Sequence, residues 1–235
     1  MESFLPCPIV ARVATDWRVH LYDAGAAFYG FFTESEVWRR ANARLVLHFP
    51  INARKVLDLG CGTGVTAIAE ARERPLAEVI GVDISHQMLV RAERARDRCE
   101  PGVARRITFV EADAARLPFA DATFDVVTGH SFLYLLPDRD AVLAEVRRVL
   151  RPGGRAIFME PRTSTLSPRS LLTYGRDLRF LVSIAMWRLF SHYNGRFTAA
   201  TLLSALEKAG LSPMTSEEVL AGLGVIGVAE RNSHP

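Results

Sequence analysis

Three glycines and two acids define the chemistry this chain can support. In Val56-Leu57-Asp58-Leu59-Gly60-Cys61-Gly62-Thr63-Gly64 an apolar run ends in a glycine-rich turn, and an amphipathic pattern begins directly after it. Glycines at 60, 62 and 64 allow a tight bend and let a ligand lie against bare main chain. The N–H groups at the start of the following helix are then available to a carboxylate or phosphate. A second apolar run, Val79 to Val82, ends in Asp83. An acid about 20 residues after such a loop is placed to accept hydrogen bonds from both hydroxyls of a ribose. The pair implies a nucleotide-like ligand. Cys61 has two readings: a thiol activated at a helix N-terminus, or a small side chain chosen for space.

These residues need strands that end at one edge. From Lys55 onward, apolar runs of strand length alternate with helical patterns, which predicts a parallel sheet covered by helices. The expected strands are 55–59, 78–83, 106–111, 124–129 and 154–159. Ser85 caps a helix to about residue 98, and Asp138 caps one whose apolar residues Val142, Leu143, Val146, Val149 and Leu150 share a face. Arg151-Pro152-Gly153-Gly154 is expected to stop it. Thr198 to Ala209 reads as a helix closed by Gly210, and the runs 214–220 and 224–230 predict an antiparallel hairpin at the sheet's edge. Two regions break the alternation. Residues 1–50 are rich in aromatics, and 161–197 hold a helix starting at Ser167-Pro168 and an apolar one over 177–190. Both are expected to serve either as packing or as a lid over the carboxyl ends of the strands.

Length and composition narrow the function classes. The 235 residues, 49% apolar and 23% charged, suit one soluble domain. A net charge of +3 with basic and acidic residues interspersed argues against nucleic acid as the main partner. The three cysteines, Cys7, Cys61 and Cys99, form no CxxC pair and suit a reducing compartment. The N-terminus lacks a secretory pattern and no apolar run reaches membrane-span length, so the expected location is cytoplasmic, with contact at a membrane surface possible. The six histidines are dispersed, and no metal cluster or Ser-His-Asp set is legible.

Several blocks match one family in order. They are Val56 to Gly64; Gly81-Val82-Asp83-Ile84-Ser85; Glu111-Ala112-Asp113-Ala114 with Leu117-Pro118-Phe119; Phe124-Asp125-Val126-Val127; and Arg148-Val149-Leu150-Arg151-Pro152-Gly153-Gly154. Over about residues 50–231 the chain resembles the class I S-adenosylmethionine-dependent methyltransferases that act on small molecules, including those of ubiquinone and menaquinone type. The resemblance implies a Rossmann-like, seven-stranded, mostly parallel sheet with helices on both faces and a C-terminal antiparallel hairpin. It implies an S-adenosyl-L-methionine domain over 51–235, with a helical insertion at about 161–197 and a helical cap over 1–50. Gly60, Cys61, Gly62 and Gly64 would form the cofactor loop, with Gly60 and Gly62 at the methionine part. Asp83 would bind the ribose, Ile84 and Met88 would lie against the adenine, and Asp113 with the main chain of Ala114 would meet its amino group. Asp58 would bind the cofactor's amino group or merely orient the loop. A turn aspartate at 113 and a core methionine at 88 are the plain alternatives.

Methyl transfer is an in-line displacement at a sulfonium carbon, so the protein mainly aligns the nucleophile and excludes water. A base is needed only when an accepting oxygen or carbon must lose a proton. His130, after the fourth strand where cofactor and acceptor meet, is the first candidate for base, for acceptor-orienting group, or for a buried turn residue; His192 and Tyr22 are the reserves. Tyr29, Phe32, Tyr134, Tyr174, Arg176 and Trp187 are the candidate acceptor contacts. An apolar or aromatic acceptor, methylated at oxygen or carbon, is expected for a metal-free monomer or homodimer. Two rivals stand: a nicotinamide oxidoreductase, because Gly62-Thr63-Gly64-Val65-Thr66-Ala67 also fits GxGxxA, and a catalytically silent cofactor-binding protein.

Overall fold

A computed structural model describes residues 35–164, 174 and 177–232 of the chain. Its seven strands are β1 (Lys55–Leu59), β2 (Glu78–Asp83), β3 (Ile107–Glu111), β4 (Phe124–His130), β5 (Leu150–Pro161), β6 (Ser212–Val219) and β7 (Gly224–Glu230). They form one sheet in the order β3-β2-β1-β4-β5-β7-β6. The first five strands run parallel, and β7 is antiparallel to both β5 and β6. The described helices are α1 (Glu36–Val46), α2 (Val65–Glu73), α3 (His86–Arg96), α4 (Pro101–Ala104), α5 (Arg139–Val149), α6 (Leu178–Asn194) and α7 (Ala199–Lys208).

The expected caps hold these helices. Ser85 accepts the Met88 N–H at 3.2 Å, Asp138 the Ala141 N–H at 3.0 Å and Asp177 the Phe180 N–H at 2.9 Å. Thr198 and Thr201 form a reciprocal capping box at the start of α7. Strands covered on both faces read as continuous apolar runs, and Val56, Leu57, Leu59, Val126, Val127, Ala156, Ile157 and Phe158 are all sealed from solvent.

Four boundaries differ from the sequence expectation. β5 begins at Leu150, directly after α5, because Pro152-Gly153 lies within the strand as an irregularity, with Gly153 at φ +76° and a register shift opposite Phe124 and Val126. The one-turn helix α4 has too few apolar residues to show a period. The first hairpin strand starts at 212 rather than 214, while the second spans 224–230 as expected, and a one-turn 3₁₀ segment at Leu220–Gly222 joins them. The second helix of the 161–197 region runs on to Asn194 before Gly195 ends it. The first helix expected there, and most of the aromatic N-terminal stretch, lie outside the described residues. Among the described residues no helix is long and apolar enough to cross a membrane.

The strand order reverses between β1 and β4. Chain connections leave β1 toward β2 on one side and β4 toward β5 on the other, so right-handed crossovers place α2 and α5 on opposite faces. The two loops that follow β1 and β4 therefore flank a crevice at the carboxyl edge, where open α/β sheets take their ligands.

Candidate active site

The glycine loop is a strained turn held from the next strand. Gly60, Gly62 and Gly64 sit at φ +64°, +52° and +80°, a region that other residues enter at a cost. Asp83, at the end of β2, accepts the Gly62 N–H at 2.8 Å through Oδ2 and the Ser85 N–H at 2.9 Å through Oδ1. One carboxylate thus fastens the loop after β1 to the start of α3.

Each glycine clears a different space. Among the described residues a Cβ on Gly62 would meet nothing nearer than the Gly60 carbonyl at 4.0 Å, so there its main chain lies open beside Asp83. A Cβ on Gly60 would strike the Phe132 ring at 2.3 Å. A Cβ on Gly64 or Gly81 would strike the Phe109 ring, at 2.8 and 2.7 Å. Gly64 and Gly81 therefore make room for a packed ring of β3, while Gly62 leaves bare main chain for a ligand. Helix α2, which starts after Gly64, has no side-chain cap, so its dipole is directed at this opening.

The rest of the loop is dry and acidic. Cys61 is buried, and burial followed by the Asp83, Asp58 and Glu70 carboxylates raises its thiol well above the ordinary range; the activated-thiol reading is not supported. Its sulfur instead fills space beside Gly81. Asp58 is buried and is pushed up to about 8 by desolvation and then by Asp83. Asp113 accepts the Ala115 N–H at 2.9 Å, and Ala112 donates to the Asp83 carbonyl at 3.1 Å, which ties the loop after β3 to the same edge. Ile84 is exposed beside it, and Met88 is buried under α3.

At the carboxyl end of β4 the turn is clamped by a residue that the sequence reading missed. Glu160, fully buried near the end of β5, accepts the N–H groups of Phe132, Leu133 and Tyr134 at 3.1, 2.8 and 3.3 Å. Burial pushes it up to about 7 against those bonds. A single acid within Ile-Phe-Met-Glu-Pro was the available signal, because an apolar strand tolerates a carboxylate only when donors meet it. Ser131 is also held at φ +56° with its Oγ buried and without a partner among the described residues, a strained conformation of the kind found at functional turns.

His130 lies beside this turn. Its Nε2 is closed off from solvent and has no hydrogen-bond partner among the described residues, and burial lowers the ring from 6.5 to about 3, so it is neutral at physiological pH. Its ring centroid is 5.1 Å from that of Trp38 on α1, which also packs against Phe180 at 5.7 Å and edge-on against Trp187 at 5.2 Å. Trp38 Nε1 donates to Ser183 Oγ at 2.7 Å, and Tyr174 stacks on Phe180 at 4.7 Å. Of the expected acceptor contacts, Trp187 and Tyr174 therefore join the aromatic group around His130, and Tyr134 is buried in the clamped turn. His192 is exposed near the end of α6, edge-on to Tyr193. Tyr22, Tyr29, Phe32 and Arg176 lie outside the described residues. Sequence reading placed the aromatic density in the N-terminal region and missed that Trp38 is the residue that carries it to His130.

Comparison with known proteins agrees with this geometry. Residues 56–154 match a family model described as a methyltransferase domain. The chain is 42% identical over 195 residues to the 27-O-demethylrifamycin SV methyltransferase of Amycolatopsis mediterranei, covering 80% of this chain and 65% of that protein. It is 31% identical over 202 residues to the demethylmenaquinone methyltransferase of Thermus thermophilus, covering 83% of this chain and 89% of that one. Two further curated methyltransferases are spanned over only 43% and 51% of their length. A solved structure described as the [4+2]-cyclase SpnF superposes with a TM-score of 0.69 at 18% identity, over 92% of this chain and 96% of that one, which establishes the shared fold. The glycine loop, the Asp83 clasp and these relatives together place the chain in the class I S-adenosylmethionine-dependent methyltransferases.

Proposed function

We propose that this protein transfers the methyl group of S-adenosyl-L-methionine to an oxygen or carbon of an apolar, ring-bearing small molecule. The observation that carries the reading is the clasp of Asp83 on Gly62, because it sets a carboxylate beside the glycine-loop main chain at the strand-order reversal. The residues fit the cofactor: Asp83 for the ribose, the Gly60–Gly62 main chain and Asp58 for the methionine end, and Asp113, Ala114, Ile84 and Met88 around the adenine. When bound, the cofactor supplies an activated methyl on a cationic leaving group.

The chain's own residues do the rest. Glu160 fixes the Phe132–Tyr134 backbone, so the turn after β4 presents one face to the crevice. Trp38, Phe180 and Trp187 pack an apolar wall from α1 and α6 beside His130, which supports exclusion of water and a planar or aliphatic acceptor. Helices α1 and α6 are thus the described part of a cover over the strand ends. Held neutral and dry, His130 is better matched to accepting one hydrogen bond from an acceptor hydroxyl than to storing a proton. The relatives named for 27-O-demethylrifamycin SV and for demethylmenaquinone support a small-molecule acceptor.

S-adenosylhomocysteine is expected to raise the thermal midpoint while NAD leaves it unchanged, and labelled methyl is expected to pass from the cofactor to hydroquinone or macrocyclic acceptors. A shift with NAD alone would overturn the reading in favour of a dinucleotide enzyme. Cofactor binding without transfer to any ring-bearing acceptor would return the chain to a silent binding protein.

A further inference from the structure

Behind the glycine loop lies a second acid that the reaction does not use. Glu70, on the inner face of α2, is fully buried, and neither of its carboxyl oxygens receives a hydrogen bond among the described residues. Asp58, on β1, is equally buried, and its Oδ2 is also without a donor. The Asp58 carboxylate acts directly on Glu70, and the Thr128 hydroxyl of β4 lies against both. That hydroxyl carries one proton, which already has the Leu57 carbonyl within 3.3 Å. Among the described residues the Ala67 N–H also faces Asp58 and opposes the rise. Two dry carboxyls with three undonated oxygens cannot both be ionised, because each charge would lack a donor and repel the other.

Among the described residues no cation faces the pair. Asp83 at the end of β2 adds a further negative charge to Asp58, and Cys61 in the loop is held as a thiol. Helix α1, packed on α2, buries Asn42, whose Oδ1 is itself unpaired. Arg74, just past the end of α2, donates through Nη2 to the Val46 and Phe49 carbonyls. No described Lys or Arg acts on either carboxyl.

We infer that Glu70 is a positioning residue kept as a neutral acid, whose O–H donates to Asp58 Oδ2 and so lets Asp58 stand as the carboxylate that receives the cationic amino end of the cofactor. The inference rests on the cofactor reading above. Before binding, Asp58 shares the protonated state of its neighbour. When the ammonium group arrives, Asp58 gives its proton to solvent and Glu70 keeps its own, so binding releases up to one proton and strengthens as pH rises toward 8. The direction follows from burial and from Asp83, which both raise Asp58 in the free protein.

The test is calorimetry of S-adenosylhomocysteine binding to the wild type, Glu70→Gln and Glu70→Leu between pH 6.5 and 9, in buffers of different ionisation heat. Glutamine keeps a donor at the position and is expected to bind within about threefold of wild type. Leucine removes the donor and is expected to bind at least about tenfold more weakly at pH 7, with the loss closing as pH nears 9. A loss of the same size at every pH, or none, would overturn the inference. Infrared spectra of the ligand-bound wild type are expected to show a protonated carboxylic acid band that Glu70→Gln lacks; its absence from the wild type would overturn the inference without reliance on the leucine variant's folding. Failure of the wild type to bind S-adenosylhomocysteine at all would overturn the cofactor reading itself, and this inference with it.

Discussion

Replacing His130 by phenylalanine tests whether the closed environment around Trp38 dictates the histidine's state. The ring is lowered from 6.5 to about 3 by burial alone. Between those values the unfolded chain binds a proton there that the native state does not, so stability rises with pH across the window and is lost as pH falls. At about 1.36 kcal/mol per unit the window has a ceiling of about 5 kcal/mol. The residue as a whole retains some solvent contact, which reduces the realised effect to about 2 kcal/mol. Phenylalanine keeps the ring against Trp38, removes the undonated Nε2, and cannot titrate. Urea unfolding at pH 7.5, 6 and 5 is therefore expected to show the wild type losing about 1–2 kcal/mol more than His130→Phe between the extremes. The raised carboxyls Asp58 and Glu160 act with the opposite sign in both proteins and cancel in the difference. Parallel pH curves would refute the argument. On the catalytic side, loss of a general base would lower kcat by roughly 10²–10⁴ with cofactor affinity intact, whereas wild-type kcat would confine His130 to packing.

Asp83→Ala removes both the Gly62 clasp and the ribose acceptor, so S-adenosylhomocysteine is expected to bind at least about tenfold more weakly by calorimetry; unchanged affinity would remove Asp83 from the site. Glu160→Gln presents an amide NH₂ to at least one of three backbone donors, and is expected to destabilise by about 1–3 kcal/mol at pH 5 in chemical unfolding. Because Glu160's folded value is raised to about 7, wild-type stability falls as pH climbs through that value and the variant's does not, so the gap narrows by pH 8. An equal gap at both pH values would contradict the buried charge.

The sheet was legible because each parallel strand is an unbroken apolar run bounded by a cap or a glycine: Ser85, Asp138 and Thr198 all cap helices as their side chains predict. The end of α5 was less so. Arg151-Pro152-Gly153-Gly154 carries every local stop signal, yet the chain enters β5 at Leu150, since pairing opposite Phe124 outweighs the turn preference of Pro-Gly and absorbs it as an irregularity.

The candidate site divides along the same physical line. Gly62 and Asp83 could be read from sequence because a loop that takes a ligand on bare main chain needs residue types that few other uses require. Gly64 and Gly81 carry the same letter for another reason, the bulk of Phe109, and only the packed ring separates the two uses. Glu70 is the sharper case. At Ala67, Glu70 and Ala71 the helical spacing already puts a carboxyl on the buried face of α2, a placement that lowers stability unless its proton is retained or a partner is met. A sequence states that such a residue is costly where it lies. That the group acting on it is Asp58, at the end of β1 just before the glycine loop, follows only from the folded arrangement, and the proposed role of Glu70 rests on that juxtaposition.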